Sequence, residues 1–229
     1  MTAFRSGLAI AFASSLLGCA TGAPWTRRHA MPPPARESRV GAPEKSADPA
    51  PGSDRPLPAQ SAASTRGDDD VARAVEAAAS LVGRRTIVLD GVDYGSGCTA
   101  LVRAAFARAG HPLPPDARDA AAVHALARRR GTLDLWRRPM AGDLVFLADR
   151  PGGPPAHVGL VAHADPDGTA LVLHRVARGV LRVRMNLAYP GRPTDPATGK
   201  HINDTLVVKA HGVSAGSLVV GVSDLLRRG

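Results

Sequence analysis

Cys98 is the residue whose type and position could most directly do chemistry. It follows the glycine-rich run 93–97 (DYGSG) and precedes apolar residues at helical spacing, namely Leu101, Val102, Ala105, Phe106 and Ala109. This pattern predicts that Cys98 lies in the first turn of a helix. The positive end of a helix favours the nucleophilic thiolate, and its free N–H groups can stabilise an oxyanion. The alternative interpretation is a buried, inert cysteine.

Two histidines further along the chain could assist such a thiolate. His157 begins the strand-like segment 157–162, and His174 lies in the next one, 169–176, so a hairpin would bring the two side by side. His163 lies about 20 Å further along the same strand and cannot serve the same site unless the strand turns back. An imidazole beside a thiol acts as a general base, and a third polar residue can orient it.

The elements that must position these residues indicate an α+β domain. Helices are predicted over 71–82, with Asp68–Asp70 as the N-cap and first turn, over the segment from Cys98 to Gly110, and over 119–130. Strands are predicted over 86–89, 143–148, 157–162, 169–176, 180–185 and in the final VVGV segment. Helices followed by an antiparallel sheet are typical of the α+β class.

Four sequence blocks, in this order, resemble NlpC-type and CHAP-type bacterial cell-wall cysteine hydrolases. Residues 97–106 (GCTALVRAAF) resemble the nucleophile helix of that family, and 139–146 (PMAGDLVF) are similar to its PGDLVFF strand. Residues 157–161 (HVGLV) resemble the strand with the catalytic histidine. Residues 173–175 (LHR), followed by 178–180 (RGV), resemble the strand that carries the third catalytic residue. Together the blocks cover roughly residues 85–184.

The resemblance implies a papain-like core, with N-terminal helices packed on a small antiparallel sheet, that cleaves amide bonds in peptidoglycan peptides. It implies that Cys98 is the nucleophile, His157 the general base and then acid, and His174 the residue that orients and polarises His157. The backbone N–H of Cys98 would hold the oxyanion, with Tyr94 and Gly97 as further oxyanion or substrate residues. No cofactor and no metal is implied.

The chain departs from the family pattern around the nucleophile. Gly97 stands where the family usually has an acidic residue, and Thr99 stands where it usually has a serine. The glycine-rich approach is shortened to 93–97, which leaves the role of Tyr94 and the shape of the substrate groove open. The region 189–209 matches the pattern poorly and is interpreted as a local elaboration.

The N-terminus reads as a targeting segment. Arg5 is followed by an apolar run, 7–17, that is too short to span a membrane and ends in Leu16-Leu17-Gly18-Cys19. This ending resembles the lipobox of bacterial lipoproteins, which implies a signal peptide over 1–18 and a lipid on Cys19. By the same resemblance, Ala20 after the cysteine favours the outer membrane, facing the periplasm, if the source is Gram-negative. The alternative is an ordinary secretory signal that contains a cysteine.

Residues 19–66 carry the lipidated cysteine and then a segment rich in Pro, Ala and Ser without apolar periodicity, which predicts a disordered tether. The hydrolase domain is predicted over 67–229. Once Cys19 is lipidated, Cys98 is the one thiol left in the mature chain. We expect a monomer whose partners are a peptidoglycan peptide and, through the lipid, the membrane.

Composition narrows the alternatives. Two cysteines exclude a disulfide framework and a four-cysteine metal site, and an aromatic content of 3% argues against base stacking. The net charge of +9 is spread along the chain and indicates an anionic envelope, not nucleic acid. A catalytically inactive wall-binding lipoprotein with the same fold stays open. A zinc hydrolase using His157, His163, His174 and Asp143 also stays open, although a compact HExxH-like pair is absent.

Overall fold

The computed structural model of the chain describes residues 61–135, 137–208 and 211–228, with side chains from residue 66 onward. The chain divides into two units, Met1–Asp54 and Arg55–Gly229, and every described residue belongs to the second. The predicted signal peptide, Cys19 and the tether up to residue 60 lie outside the described residues. Within the described ranges, no helix is both long enough and apolar enough to cross a membrane.

The described helices are α1 (Ser61–Ser80), α2 (Ala100–Arg108) and α3 (Ala120–Arg129). The predicted start of the first helix is wrong, because α1 begins at Ser61 and already includes the residues taken for its cap. Asp70 is buried inside α1, where its carboxylate accepts from Arg73 and pairs with His111 at 2.8 Å. The acidic run therefore serves a tertiary contact and not a helix start.

The described strands form one six-stranded antiparallel sheet and two separate hairpins. The strands are β1 (Ile87–Leu89), β2 (Val92–Gly95), β3 (Leu133–Asp134), β4 (Leu144–Ala148), β5 (Pro155–Ala164), β6 (Thr169–Val176), β7 (Gly179–Asn186), β8 (Thr205–Val208), β9 (His211–Ser214) and β10 (Val219–Ser223). Each hairpin joins consecutive strands, β1 with β2 and β8 with β9, and the large sheet has the order β3-β10-β4-β5-β6-β7. The predicted α+β class is confirmed.

Apolar residues are buried on both faces of this sheet. Phe146 and Leu160 belong to the core shared with the helices, whereas Val145 and Val161 belong to a second core on the opposite face. Because successive side chains of a strand point to opposite faces, a strand covered on both sides reads as a continuous apolar run. This explains why all five residues of β4 are buried.

The second core is covered by the region after β7, which the sequence predicts as a local elaboration. The buried amide of Asn203 fastens this region: its Oδ1 accepts from Asn186 N at 2.8 Å and from Gly216 N at 3.1 Å. Its Nδ2 donates to the carbonyls of Tyr189 and Arg192 at 2.9 and 2.7 Å. A Cβ at Gly216 would lie 2.6 Å from Asn203 Oδ1, so only glycine fits there. The β8–β9 hairpin follows and was not predicted.

Candidate active site

Cys98 lies in the turn that leads into α2, two residues before the helix begins at Ala100. The turn is closed by a hydrogen bond from Ala100 N to Gly97 O at 3.1 Å, and Arg103 N donates to Thr99 O at 2.9 Å. The sequence places Cys98 inside the first helical turn, whereas the structure places it just ahead of that turn. The thiol is half-buried and stays next to the positive end of α2.

A second helix start also lies at the thiol. Thr99 Oγ1 donates to Arg118 O at 2.7 Å, which ties the start of α2 to the residues just before α3. Asp119 caps α3 by accepting from Ala122 N at 2.8 Å, and the backbone N–H of Ala120 interacts with the Cys98 sulfur. The sequence gives no sign of this contact, because it joins two segments that are separated along the chain.

The electrostatics of the site favour a charged Cys98–His157 pair. The interaction with the His157 imidazole, helped by the Ala120 N–H, lowers the pKa of the Cys98 thiol against the opposing effect of burial. The same interaction, helped by Asp149, raises the pKa of His157. Each group thus stabilises the charged form of the other, as in a thiolate–imidazolium pair.

His157 is held by a hydrogen bond at one side of its ring. Its Nε2 lies 3.0 Å from Asp149 Oδ1, and its Nδ1 is buried without a hydrogen-bond partner in the described part of the chain. The Cys98 Sγ lies 3.8 Å from the carbonyl oxygen of Ala156, the residue just before His157. Because Asp149 occupies Nε2, Nδ1 is the nitrogen left to exchange a proton with the thiol.

His174 lies beside His157, as the predicted hairpin requires. It pairs with Gly159 across β5 and β6, and the two imidazole centroids are 5.3 Å apart at an angle of 41°. His174 is 4% exposed, and neither of its ring nitrogens has a hydrogen-bond partner among the described residues. Burial, together with the nearby His157, lowers the pKa of His174 to about 4. The hydrogen bond on His157 therefore comes from Asp149 and not from His174.

Asp149 is the site residue that sequence reasoning missed. It lies directly after β4, in a run (DRPGG) that looks like an ordinary turn. The strand register explains why Asp149 reaches His157. Leu147 pairs with His157, and Asp149 is two residues beyond Leu147, at the open end of the same strand pair. Reading that register requires the pairing of β4 with β5, which the sequence alone does not give.

The other predicted site residues lie around the nucleophile or away from it. Tyr94 is half-buried in β2 and packs against the helix-side core. Gly97 is exposed, and a Cβ there would meet only Thr99 Oγ1, at 4.0 Å. The space beside Gly97 would therefore accept the acidic residue that the family usually has. The oxyanion or substrate roles of both residues stay predictions.

Two ligands of the zinc alternative, His163 and Asp143, are paired with other residues, away from the adjacent His157 and His174. His163 Nε2 lies 3.0 Å from Asp165, and buried Asp143 pairs with Arg137 at 2.7 Å and with Arg227 at 2.5 Å. Burial raises the pKa of Asp143 although both arginines oppose this effect. Within the described ranges, no group of three or more His, Cys, Asp or Glu side chains could hold a metal ion.

A cavity of about 410 Å³ adjoins the histidines on the sheet face opposite the helices. Asp149, His157 and His174 line one side of it, and most of the remaining lining is aliphatic, from β4, β6, β7, β8 and Leu218. The β8–β9 hairpin therefore contributes directly to the surroundings of the candidate site.

No protein-family model matches the chain, and no curated protein does. Among solved structures, the chain is similar to the crystal structure of Ly7917, with 18% identity and a TM-score of 0.41 over 66% of this chain and 61% of that one. Similar values hold for Ly7917 with the hydrolyzing product of MDP: 18% identity and a TM-score of 0.41, over 67% and 62% of the two chains. The chain thus spans less than two thirds of the length of these neighbours.

Proposed function

We propose that this protein is a cell-envelope cysteine hydrolase with a papain-like core that cleaves amide bonds in peptidoglycan peptides. The observation that carries the proposal is the Cys98–His157–Asp149 arrangement. In it, the interaction of Cys98 with His157 lowers the pKa of the thiol and raises that of the imidazole, and Asp149 holds the far ring nitrogen. The sequence resemblance to NlpC-type and CHAP-type hydrolases supports the same chemistry and supplies the substrate class.

The reaction follows from these positions. The Cys98 thiolate attacks the amide carbonyl carbon, a C–S bond forms, and the backbone N–H of Cys98 stabilises the oxyanion. The His157 imidazolium gives its proton to the leaving amine as the C–N bond breaks, which leaves a thioester on Cys98. His157 then takes a proton from water, which attacks the thioester and releases the acid and the thiolate.

Asp149 and His174 have different parts in this scheme. The Asp149 carboxylate, 3.0 Å from Nε2, orients the His157 ring and stabilises its positive charge. His174 packs against the same ring and holds its position, while its own burial keeps it neutral, with a pKa of about 4. The orienting role that the family resemblance assigns to His174 is thus divided between two residues.

The location belongs to the same proposal. Lipidation at Cys19 would anchor the chain in the outer membrane, facing the periplasm, and the segment up to residue 60 would let the domain reach the wall. The anionic envelope suits a chain of net charge +9. The bond that is cut, between peptide residues or next to the sugar, depends on the substrate groove.

The test is product analysis on purified peptidoglycan with the full chain and its Cys98→Ala variant. We expect the unmodified chain to release muropeptides that mass spectrometry identifies, and the Cys98→Ala variant to release none. The Cys19→Ala variant is the matched control, since it removes the other cysteine and should release the same products in solution. Release by Cys98→Ala would overturn the nucleophile assignment, and binding without cleavage by the unmodified chain would indicate the inactive wall-binding alternative.

A further inference from the structure

The cavity beside the histidines has features that amide hydrolysis does not by itself require. Its walls are branched aliphatic side chains, and its volume of about 410 Å³ falls in the range of small-molecule sites. The main wall residues are Val176, Leu181, Val183, Leu206, Val208 and Leu218. These surfaces favour an aliphatic group of a ligand over a peptide backbone alone.

One polar side chain faces this apolar cavity without a partner. His174 lines the cavity, is 96% buried (4% exposed), and neither ring nitrogen is hydrogen-bonded within the described part of the chain. A buried polar group without a partner destabilises the fold, so its persistence points to a ligand that completes it. A neutral imidazole offers one N–H donor and one nitrogen acceptor.

The charge distribution narrows the ligand class. The charged groups of the lining are the Asp149 carboxylate and the His157 imidazolium, which pair with each other at 3.0 Å, and Arg178, which is exposed. A carboxylate or an ammonium group deep in the cavity would lose its hydration among leucines and valines and find no opposite charge on neutral His174. A secondary amide carries a donor and an acceptor and no charge, so it can hydrogen-bond to either the N–H or the acceptor nitrogen of neutral His174.

We propose that this cavity is a substrate subsite for an N-alkanoyl amide, with the alkyl chain against the β6–β8 walls and the amide hydrogen-bonded to His174. The inference depends on the proposed hydrolase function at one point: the bound group is called part of a substrate because it lies next to His157. It narrows the substrate class to peptides that carry an aliphatic acyl chain on an amide nitrogen.

Binding can be measured without turnover in the full-length Cys98→Ala variant. The probes are N-methylacetamide, N-methylbutanamide and N-methylhexanamide, titrated by NMR. We expect the affinity to rise about fourfold for each methylene that enters the cavity. An affinity that does not depend on chain length would overturn the proposal. Because no reaction is involved, this outcome is separate from a failure of peptidoglycan cleavage by the unmodified chain.

Two further variants, made in the same Cys98→Ala background, test the wall and the polar anchor. Leu181→Trp should fill the cavity and weaken N-methylhexanamide binding at least tenfold, whereas Leu135→Trp, at a residue 54% exposed and outside the lining, should not change it. His174→Phe should weaken binding about tenfold while the dependence on chain length persists. It should not lower the melting temperature, because it removes an unpaired polar group. Unchanged amide binding in His174→Phe would contradict the anchor even if Leu181→Trp failed to fold.

Discussion

Cys98 and His157 titrate as a pair, and this sets the pH range in which each is reactive. The thiol pKa is lowered chiefly by His157, so the thiolate forms below the pH at which an isolated thiol ionises. The His157 pKa is raised, so the imidazolium persists above its usual range. The thiolate–imidazolium form is therefore populated as pH rises through the thiol pKa and is lost as pH rises through the imidazolium pKa.

Alkylation measures the thiol directly. We expect the rate of iodoacetamide reaction with Cys98 to show a midpoint below about 8.5, the value of an unperturbed thiol. His157→Ala should move the midpoint upward, because the largest stabilising partner of the thiolate is removed while burial still opposes ionisation. His163→Ala is the matched control, since His163 is paired with Asp165 away from the thiol. A midpoint near 8.5 in the unmodified chain would support the inert-cysteine interpretation.

Asp149 is expected to act through His157. Asp149→Asn keeps a hydrogen-bonding group but loses the charge, so kcat should fall by about 100-fold and Asp149→Glu should restore part of it. The alkaline limb of the rate profile should move to lower pH, because the imidazolium loses its anionic partner and its raised pKa falls. Asp165→Asn, at the partner of His163, serves as the control. An unchanged profile in Asp149→Asn would contradict the orienting role.

At the level of elements, the site depends on two helix starts that meet at one thiol. The starts of α2 and α3 are joined by the Thr99 hydroxyl, which donates to Arg118 O at 2.7 Å. The buried position of Thr99 keeps this bond from water, next to the Ala120 N–H that helps to lower the pKa of the Cys98 thiol. The family serine and the threonine found here share the hydroxyl that such a bond requires.

Replacing the Thr99 hydroxyl should change the thiol pKa of Cys98 while the domain stays folded. Thr99→Val leaves the Arg118 carbonyl without its donor, which should lower the free energy of unfolding by about 1–3 kcal/mol. The thiol pKa should rise, since the Ala120 N–H is no longer held against the sulfur. Thr99→Ser keeps the hydroxyl and should retain both the free energy of unfolding and the thiol pKa. Denaturant unfolding and the alkylation profile measure the two effects, and a Thr99→Val thiol with an unshifted midpoint would exclude the coupling.

The elements that the sequence predicts well are those whose signals are local. The strand 169–176 is predicted with its observed bounds, and 119–130 contains α3 with Asp119 as its cap, because alternation and capping are read within one segment. The sequence does not predict the roles of Asp149 and the Ala120 N–H or the β8–β9 hairpin, because each depends on a strand register or a tertiary contact. The start of α1 is misplaced because Asp70, one of the three acids that suggest a cap, lies inside the helix and pairs with the distant His111.

At the scale of the whole molecule, the end of the chain is fastened to the middle of the sheet. Arg227 pairs with buried Asp143 at 2.5 Å and donates to the Ala141 carbonyl, just before β4. Arg137 pairs with the other oxygen of Asp143 at 2.7 Å. These contacts join residues that flank β3, β4 and β10 around one buried carboxylate.

Removing Arg227 should therefore affect stability and not chemistry. Arg227→Ala leaves Asp143 with Arg137 as its remaining ion-pair partner in the described chain, so the free energy of unfolding should fall by about 1–3 kcal/mol. Arg228→Ala removes an exposed arginine whose partner, buried Asp224, keeps its pair with Arg137 at 3.6 Å, so it should cost about 0–1 kcal/mol. Urea denaturation compares the Arg227→Ala and Arg228→Ala variants. An equal loss of unfolding free energy in both would show that the Asp143 contact does not cause the loss in Arg227→Ala.

The position of β10 has a consequence for how the domain is made. β10 inserts between β3 and β4, which precede it in sequence by many residues, while β4 to β7 follow one another as a simple meander. During synthesis the meander can pair as it emerges, but β3 has to wait for its partner until Val219–Ser223 has left the ribosome. An incompletely synthesised chain therefore stays partly open.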